Sequence, residues 1–195
     1  MALRVVAGTC RGRRLATPEG DSTRPTSDRV REATFNSLDA HGFVEGANVL
    51  DLFAGSGAMG IEALSRGADR ATFVDSSRAA ATVVESNLRA CGFTEQSSVV
   101  RMDVSSFLNS DIGNFDLAIL DPPYSYDQWA DLLSRLDSTV VVIESDRQII
   151  DPQGYSEFGP VTYEVIRQRR YGSTVVTIAV SKRRDDHGGQ TEDRQ

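Results

Sequence analysis

Cysteine and histidine are scarce in this 195-residue chain, with two of each. Cys10 and Cys91 stand too far apart in sequence to suggest a disulfide framework, and neither has a histidine near it. No metal site is therefore expected. Lysine is reduced to Lys182 among 21 basic residues. Arginine suits phosphate forks and base stacking, although so broad a bias equally fits genomic composition. No apolar run approaches the roughly 20 residues of a transmembrane helix. The N-terminus lacks an apolar stretch followed by a small-residue cleavage site, so no signal peptide and a cytoplasmic location are expected.

What is present suits one α/β domain with a short extension: 39% hydrophobic and 25% charged residues. The net charge of −7 argues at first against a polyanionic partner. Its distribution reverses that. Residues 1–36 hold seven arginines and four acids, a net of +3, which leaves −10 for the rest. A basic arm on an acidic body is the pattern of a binding extension on a catalytic domain.

Residues 3–16 read as a short strand pair around a CRGR turn, and 17–26 as loop. Ser27 is placed to cap a helix over 28–40, where Val30, Ala33, Phe35 and Leu38 recur at helical spacing. Strands at 48–53, 70–75, 98–102, 115–121 and 138–145 then alternate with helices at 58–66, 77–91, 104–109 and 127–136. Segments 161–171 and 173–181 form a closing hairpin around Tyr171-Gly172. The expected organisation is an arm over 1–26, a catalytic domain over 27–182 and a polar, disordered tail over 183–195. Strand–helix alternation predicts a mostly parallel sheet with helices on both faces.

Gly55, Gly57 and Gly60 match G-x-G-x-x-G between the first strand and its helix. That match alone is weak. Asp51, four residues before Gly55, would repel a diphosphate but can engage a cationic amine. Asp75 closes the next strand, where a carboxylate accepts from ribose hydroxyls. It does not separate nicotinamide from S-adenosyl cofactors. Asp103, at the third strand's end, is placed for an adenine amino group and equally for capping the helix behind it.

Asp121-Pro122-Pro123-Tyr124 ends the fourth strand, on the side where open α/β sheets bind ligands. An exocyclic amine on a base is a poor nucleophile, because its lone pair is delocalised into the ring. The Asp121 carboxylate and the Pro122 carbonyl supply two acceptors for its N–H groups. Two successive prolines fix φ and hold that carbonyl. Tyr124 offers a face on which a flipped-out base stacks.

With these residues the chain resembles the class I, Rossmann-like amino methyltransferases, and more narrowly the bacterial RsmD family. The narrower likeness rests on Gly8, Arg11, Gly12, Arg13 and Leu15; on Thr23-Arg24-Pro25-Thr26 with Arg29, Glu32, Phe35 and Asn36; and on Tyr171-Gly172. The resemblance reaches to about residue 182. It implies a seven-stranded sheet with the last strand antiparallel and an N-terminal β-hairpin. It also implies S-adenosylmethionine as methyl donor and N2 of a guanine in small-subunit ribosomal RNA, within a ribosomal particle, as acceptor. Asp121, Pro122, Pro123 and Tyr124 are the expected catalytic residues. Asp51, Phe53, Ala54, Gly55, Gly57, Asp75, Ser76, Asp103, Val104 and Thr26 are expected at the cofactor. Arg11, Arg13, Arg14, Arg24, Arg29 and Arg31 are expected on RNA, and the protein is expected to be a monomer. Three alternatives stay open: a DNA adenine-N6 or cytosine-N4 methyltransferase, a nicotinamide-dependent oxidoreductase using the glycine loop, and a non-catalytic ribosome-assembly factor.

Overall fold

The computed structural model describes residues 3–18, 27–110, 113–153 and 155–183. Arg24, Thr26 and the expected tail beyond Arg183 lie outside the described residues. Helix α1 (Asp28–Ala40) begins as expected, its N-cap Ser27 hydroxyl accepting from the Val30 N–H at 3.3 Å. Then follow β1 (Asn48–Leu52), α2 (Ala58–Ser65), β2 (Arg70–Asp75), α3 (Arg78–Cys91), β3 (Ser97–Arg101) and α4 (Val104–Leu108). The series continues with β4 (Phe115–Leu120), α5 (Trp129–Arg135), β5 (Ser138–Ser145), β6 (Tyr155–Phe158), β7 (Val161–Tyr171) and β8 (Thr174–Arg183). Helix α3 ends on Gly92 at φ 76°, the left-handed stop that glycine adopts at low cost.

One sheet of eight strands runs in the order β3-β2-β1-β4-β5-β8-β7-β6. The first five pair in parallel, and the three pairings that follow, β5 with β8, β8 with β7 and β7 with β6, are antiparallel. The mostly parallel sheet and the antiparallel last strand, β8, are as expected, and the strand count is eight where seven were expected. The additional strand is β6, a four-residue segment that turns through Gly159-Pro160 onto β7. Its brevity and its flanking glycines make it read as loop.

Alternation along each strand sends side chains to two cores. On one face Val49, Leu117, Val140 and Ile178 pack under Phe35 and Leu38 of α1, Ile61 of α2 and Val84 of α3. On the other, Leu50, Ala118 and Val141 pack against Phe107 of α4 and Leu132 of α5. The chain starts at β1, runs outward through β2 and β3, then returns to place β4 on the other side of β1. That reversal opens a crevice beyond the carboxyl ends of β1 and β4.

The N-terminal segment is sewn onto this body. Its hairpin has contracted to a single bridge, Arg4 to Arg14, with Leu15 N–H donating to the Leu3 carbonyl at 2.9 Å. Leu3, Val5 and Leu15 belong to the α1–α3 core. Gly8 lies so close to α2 that a Cβ there would fall 1.7 Å from the Ser65 carbonyl oxygen. Glu62, fully buried on α2, accepts from the Val6 and Ala7 N–H groups at 2.7 and 3.0 Å.

Candidate active site

The turn after β1 is shaped by left-handed backbone. Phe53, Gly55 and Gly57 have φ of 62°, 53° and 73°. Phe53 is the only non-glycine with positive φ among the described residues, and such strain concentrates at functional turns. Gly60 serves close packing of α2 on the sheet: a Cβ there would meet the Phe73 ring at 2.4 Å and Asp51 Oδ2 at 3.1 Å. Gly57 caps α2 without a side chain.

Asp51 is tied into that helix. It is 2% exposed, and its Oδ2 accepts from the Gly60 N–H at 2.9 Å. Burial first, then the Asp121 and Asp75 carboxylates, push its carboxyl up to about 8, while the Gly60 bond pulls the other way. Asp51 is therefore enclosed behind the turn it holds and is not an open carboxylate.

Asp75, half-buried, spans the turn: Oδ2 accepts from the Gly55 N–H at 2.9 Å and Oδ1 from the Ser77 N–H at 2.8 Å. Each oxygen retains a lone pair for a further donor. Asp103 is the N-cap of α4, accepting from Ser105 N–H at 2.9 Å and Ser106 N–H at 3.2 Å, and it is exposed at the mouth. The capping part of the expectation for Asp103 is seen directly. Ser76 is exposed, Ala54 and Val104 are buried, and the half-buried Phe53 ring meets Tyr126 edge-on at 5.2 Å.

Across the crevice, Asp121 lies half-buried just past β4, Pro122 is buried and Pro123 exposed. The Pro123 carbonyl accepts from Tyr126 N–H at 2.8 Å, which closes a turn over Pro123–Tyr126 at the end of the tetrapeptide. Tyr124 is 49% exposed, and its hydroxyl shares a 2.8 Å hydrogen bond with Thr174 Oγ1 at the start of β8. Tyr124 and Met102 are the exposed large apolar side chains among the described residues, and they stand past the ends of β4 and β3. Burial and the Asp131 carboxylate raise the Tyr126 hydroxyl above its usual value.

Sequence reasoning missed three residues that set this geometry. Arg147 donates to the Tyr124 carbonyl at 3.4 Å and to the Tyr126 carbonyl at 2.9 Å, so it clasps the turn after β4 from beyond β5. Asn87 on α3 donates to the Ser56 carbonyl at 2.8 Å and brackets Ala16 through both its atoms, joining the glycine turn to the arm. Glu62 anchors the arm as described above.

The expected RNA set needs one correction. Arg31 is fully buried: it pairs with Asp28 at 2.9 Å and Glu62 at 3.6 Å and donates to the Arg4 carbonyl. A guanidinium so enclosed has no surface for RNA. Arg11, Arg13 and Arg14 are exposed on the arm, and Arg29 is exposed on α1. Among the described residues no three His, Cys, Asp or Glu stand close enough to hold a metal ion, and no helix is long and apolar enough to cross a membrane.

A family model described as conserved hypothetical protein 95 matches residues 3–180. Haemophilus influenzae ribosomal RNA small subunit methyltransferase D is 32% identical over 182 residues, covering 87% of this chain and 93% of that protein. The Escherichia coli protein yhhF, a candidate methyltransferase, superposes with a TM-score of 0.77 at 28% identity, over 94% of this chain and all of that one. A more distant fold relative, 18% identical with a TM-score of 0.59 over 81% of this chain and 50% of its own, is a candidate methyltransferase complexed with SAH. Fold, turn geometry and sequence agree, and the chain belongs to the conserved hypothetical protein 95 family, the RsmD family.

Proposed function

We propose that this protein transfers a methyl group from S-adenosylmethionine to the N2 amino group of a guanine in small-subunit ribosomal RNA. The observation that carries the reading is Asp121–Tyr124 set across the switch-point crevice from the glycine turn. The curated relative's name, a ribosomal RNA small subunit methyltransferase, supports the RNA class and disfavours the DNA alternative.

The residues around the turn fit such a cofactor. Asp75 has lone pairs for ribose hydroxyls beyond those the Gly55 and Ser77 amides use. Asp103 stands at the mouth for an adenine amino group. A side chain at Gly57 would press on Val84 at 3.2 Å, so the turn stays slim there. When bound, the cofactor supplies a methyl group made electrophilic by its sulfonium.

The chain's own contribution is positioning. Asp121 and the Pro122 carbonyl accept from the two N–H groups of the target amine and turn its lone pair toward the donor. Tyr124 stacks on the purine once it has left its helix. Arg147 and the Pro123–Tyr126 bond hold the turn that presents these groups, and such orientation lowers the barrier without covalent chemistry. Asp121 or water receives the proton after transfer.

Incubation with labelled S-adenosylmethionine and unmodified small ribosomal subunits, followed by mass spectrometry of the nucleosides, tests this. N2-methylguanosine is expected. Label in purified DNA and none in the subunits would overturn it.

A further inference from the structure

A second arginine cluster lies far in sequence from the arm. Arg167, Arg169 and Arg170 stand on β7, and among the described residues no carboxylate lies within ion-pair distance of any of them. Earlier on the same strand charge is matched, Glu164 pairing with Lys182 at 3.5 Å.

Sheet register fixes where this cluster sits. Leu120 pairs with Ile143, Ile143 with Thr177, and Thr177 with Gln168. The next row therefore aligns Asp121 with Arg169, three strands apart. At about 4.8 Å per strand the two are separated by roughly 14 Å. The Tyr171–Thr174 turn lies at the carboxyl edge of the parallel strands, and the Tyr124–Thr174 hydrogen bond links it to the catalytic tetrapeptide.

Arg167, Arg169 and Tyr171 line one groove between β7 and α1, whose far wall is Ala33 and Thr34. Val176 and Ile178 form its floor and belong to the core that α1 covers. Arg29, exposed one turn before Ala33, lies on the same stripe of α1. The β7 wall of the groove thus carries two guanidinium groups and a tyrosine ring, and Arg29 adds a third guanidinium one turn along α1 from the opposite wall. Guanidinium forks match phosphate oxygens, and aromatic faces accept unstacked bases.

We propose that the groove between α1 and β7 is the track for the RNA strand that carries the target base. Arg167 and Arg169 on the β7 wall, and Arg29 one turn further along α1, take phosphates next to the flipped nucleotide. The inference rests on the nucleic-acid reading above and extends it. Grip near the reacting base belongs to this groove, and the arm's Arg11, Arg13 and Arg14 are left for more distant backbone.

The test is filter binding of full-length protein to unmodified small ribosomal subunits across a salt series. It compares wild type, the Arg167→Ala/Arg169→Ala pair and the Arg167→Lys/Arg169→Lys pair. The alanine pair is expected to bind at least tenfold more weakly. Its slope of log affinity on log salt should be shallower by about 1.4, at about 0.7 per single-strand phosphate lost. The lysine pair keeps most of the slope, and S-adenosylhomocysteine affinity is unchanged in both. Because Arg167 is half-buried, Arg169→Ala alone, at an exposed position, serves if the pair misfolds and shows half the slope change. Wild-type affinity and slope in the alanine variants overturn the groove assignment. So does lost affinity with an unchanged slope, which would point to a ribosomal protein surface as the partner. Wild type that neither binds nor methylates the subunits sinks the functional reading instead.

Discussion

Asp51 holds a proton in the folded chain at pH values where the unfolded chain releases it, because burial lifts its carboxyl from 3.8 to about 8. The sign follows from proton linkage. Across that window the native state binds more protons than the unfolded state, so stability falls as pH rises toward 8. Asp51→Asn retains an acceptor for Gly60 N–H and removes the titration. The melting temperature of wild type minus that of the variant should therefore decline steadily from about pH 5 to about pH 8. A difference that stays flat with pH contradicts the buried, protonated Asp51. At Arg147 the prediction concerns rate. Lysine cannot reach the Tyr124 and Tyr126 carbonyls together, since only the guanidinium presents donors as a fork. Arg147→Lys should lower kcat by about ten- to a hundredfold, the scale of a small misplacement, and leave cofactor affinity alone. Partial recovery of the Arg147→Ala variant by free guanidinium checks it. Equal rates in all these proteins would remove Arg147 from the account.

Helix α2 does two jobs, and the sequence declares one. Its glycine-marked start is plain from the spacing of Gly55, Gly57 and Gly60. Its role as anchor for the arm depends on Glu62, whose partners Val6 and Ala7 are 56 and 55 residues away. Pairings that distant leave no local pattern, although an acid inside the otherwise apolar run AMGIEAL was itself a sign of a buried partner. Removing one member of a buried charge cluster costs about 3 kcal/mol or more. Glu62→Ala leaves the buried Arg31 short of a partner, so its melting temperature should drop by roughly 10 °C for a domain of this size. Calorimetry reads this, and a loss of a degree or two would show the arm to be held by other contacts. Helix α1 teaches the same lesson. Arg31 stands in a basic stretch of sequence beside exposed arginines, yet it is fully buried. Its spacing of four and seven residues from Phe35 and Leu38 puts it on their buried stripe. The period could have found it. Strand β6, at four residues, could not be told from a loop.

At the scale of the molecule, strand–helix alternation was enough for the parallel half of the sheet and hence for the crevice where β1 and β4 part. The placing of Asp121 beside the glycine turn follows from that topology alone. The clasp of Arg147, the Asn87 bridge and the level position of Arg169 come from register and tertiary contact, which no window of sequence contains. The charge division of +3 on residues 1–36 against −10 elsewhere was legible. The arginines of β7 were hidden inside the acidic portion, visible only when the sheet brings them to the carboxyl edge of the parallel strands. The proposed methyl transfer depends on the Asp121 carboxylate gripping an amino group. Its most direct test is the single-turnover rate of methyl transfer to unmodified small ribosomal subunits by Asp121→Ala, measured beside its affinity for S-adenosylmethionine. Affinity within about twofold of wild type and a rate at least a hundredfold lower, roughly the contribution of a positioned acid–base group, are predicted. A variant that binds cofactor and methylates the subunits at the wild-type rate contradicts it.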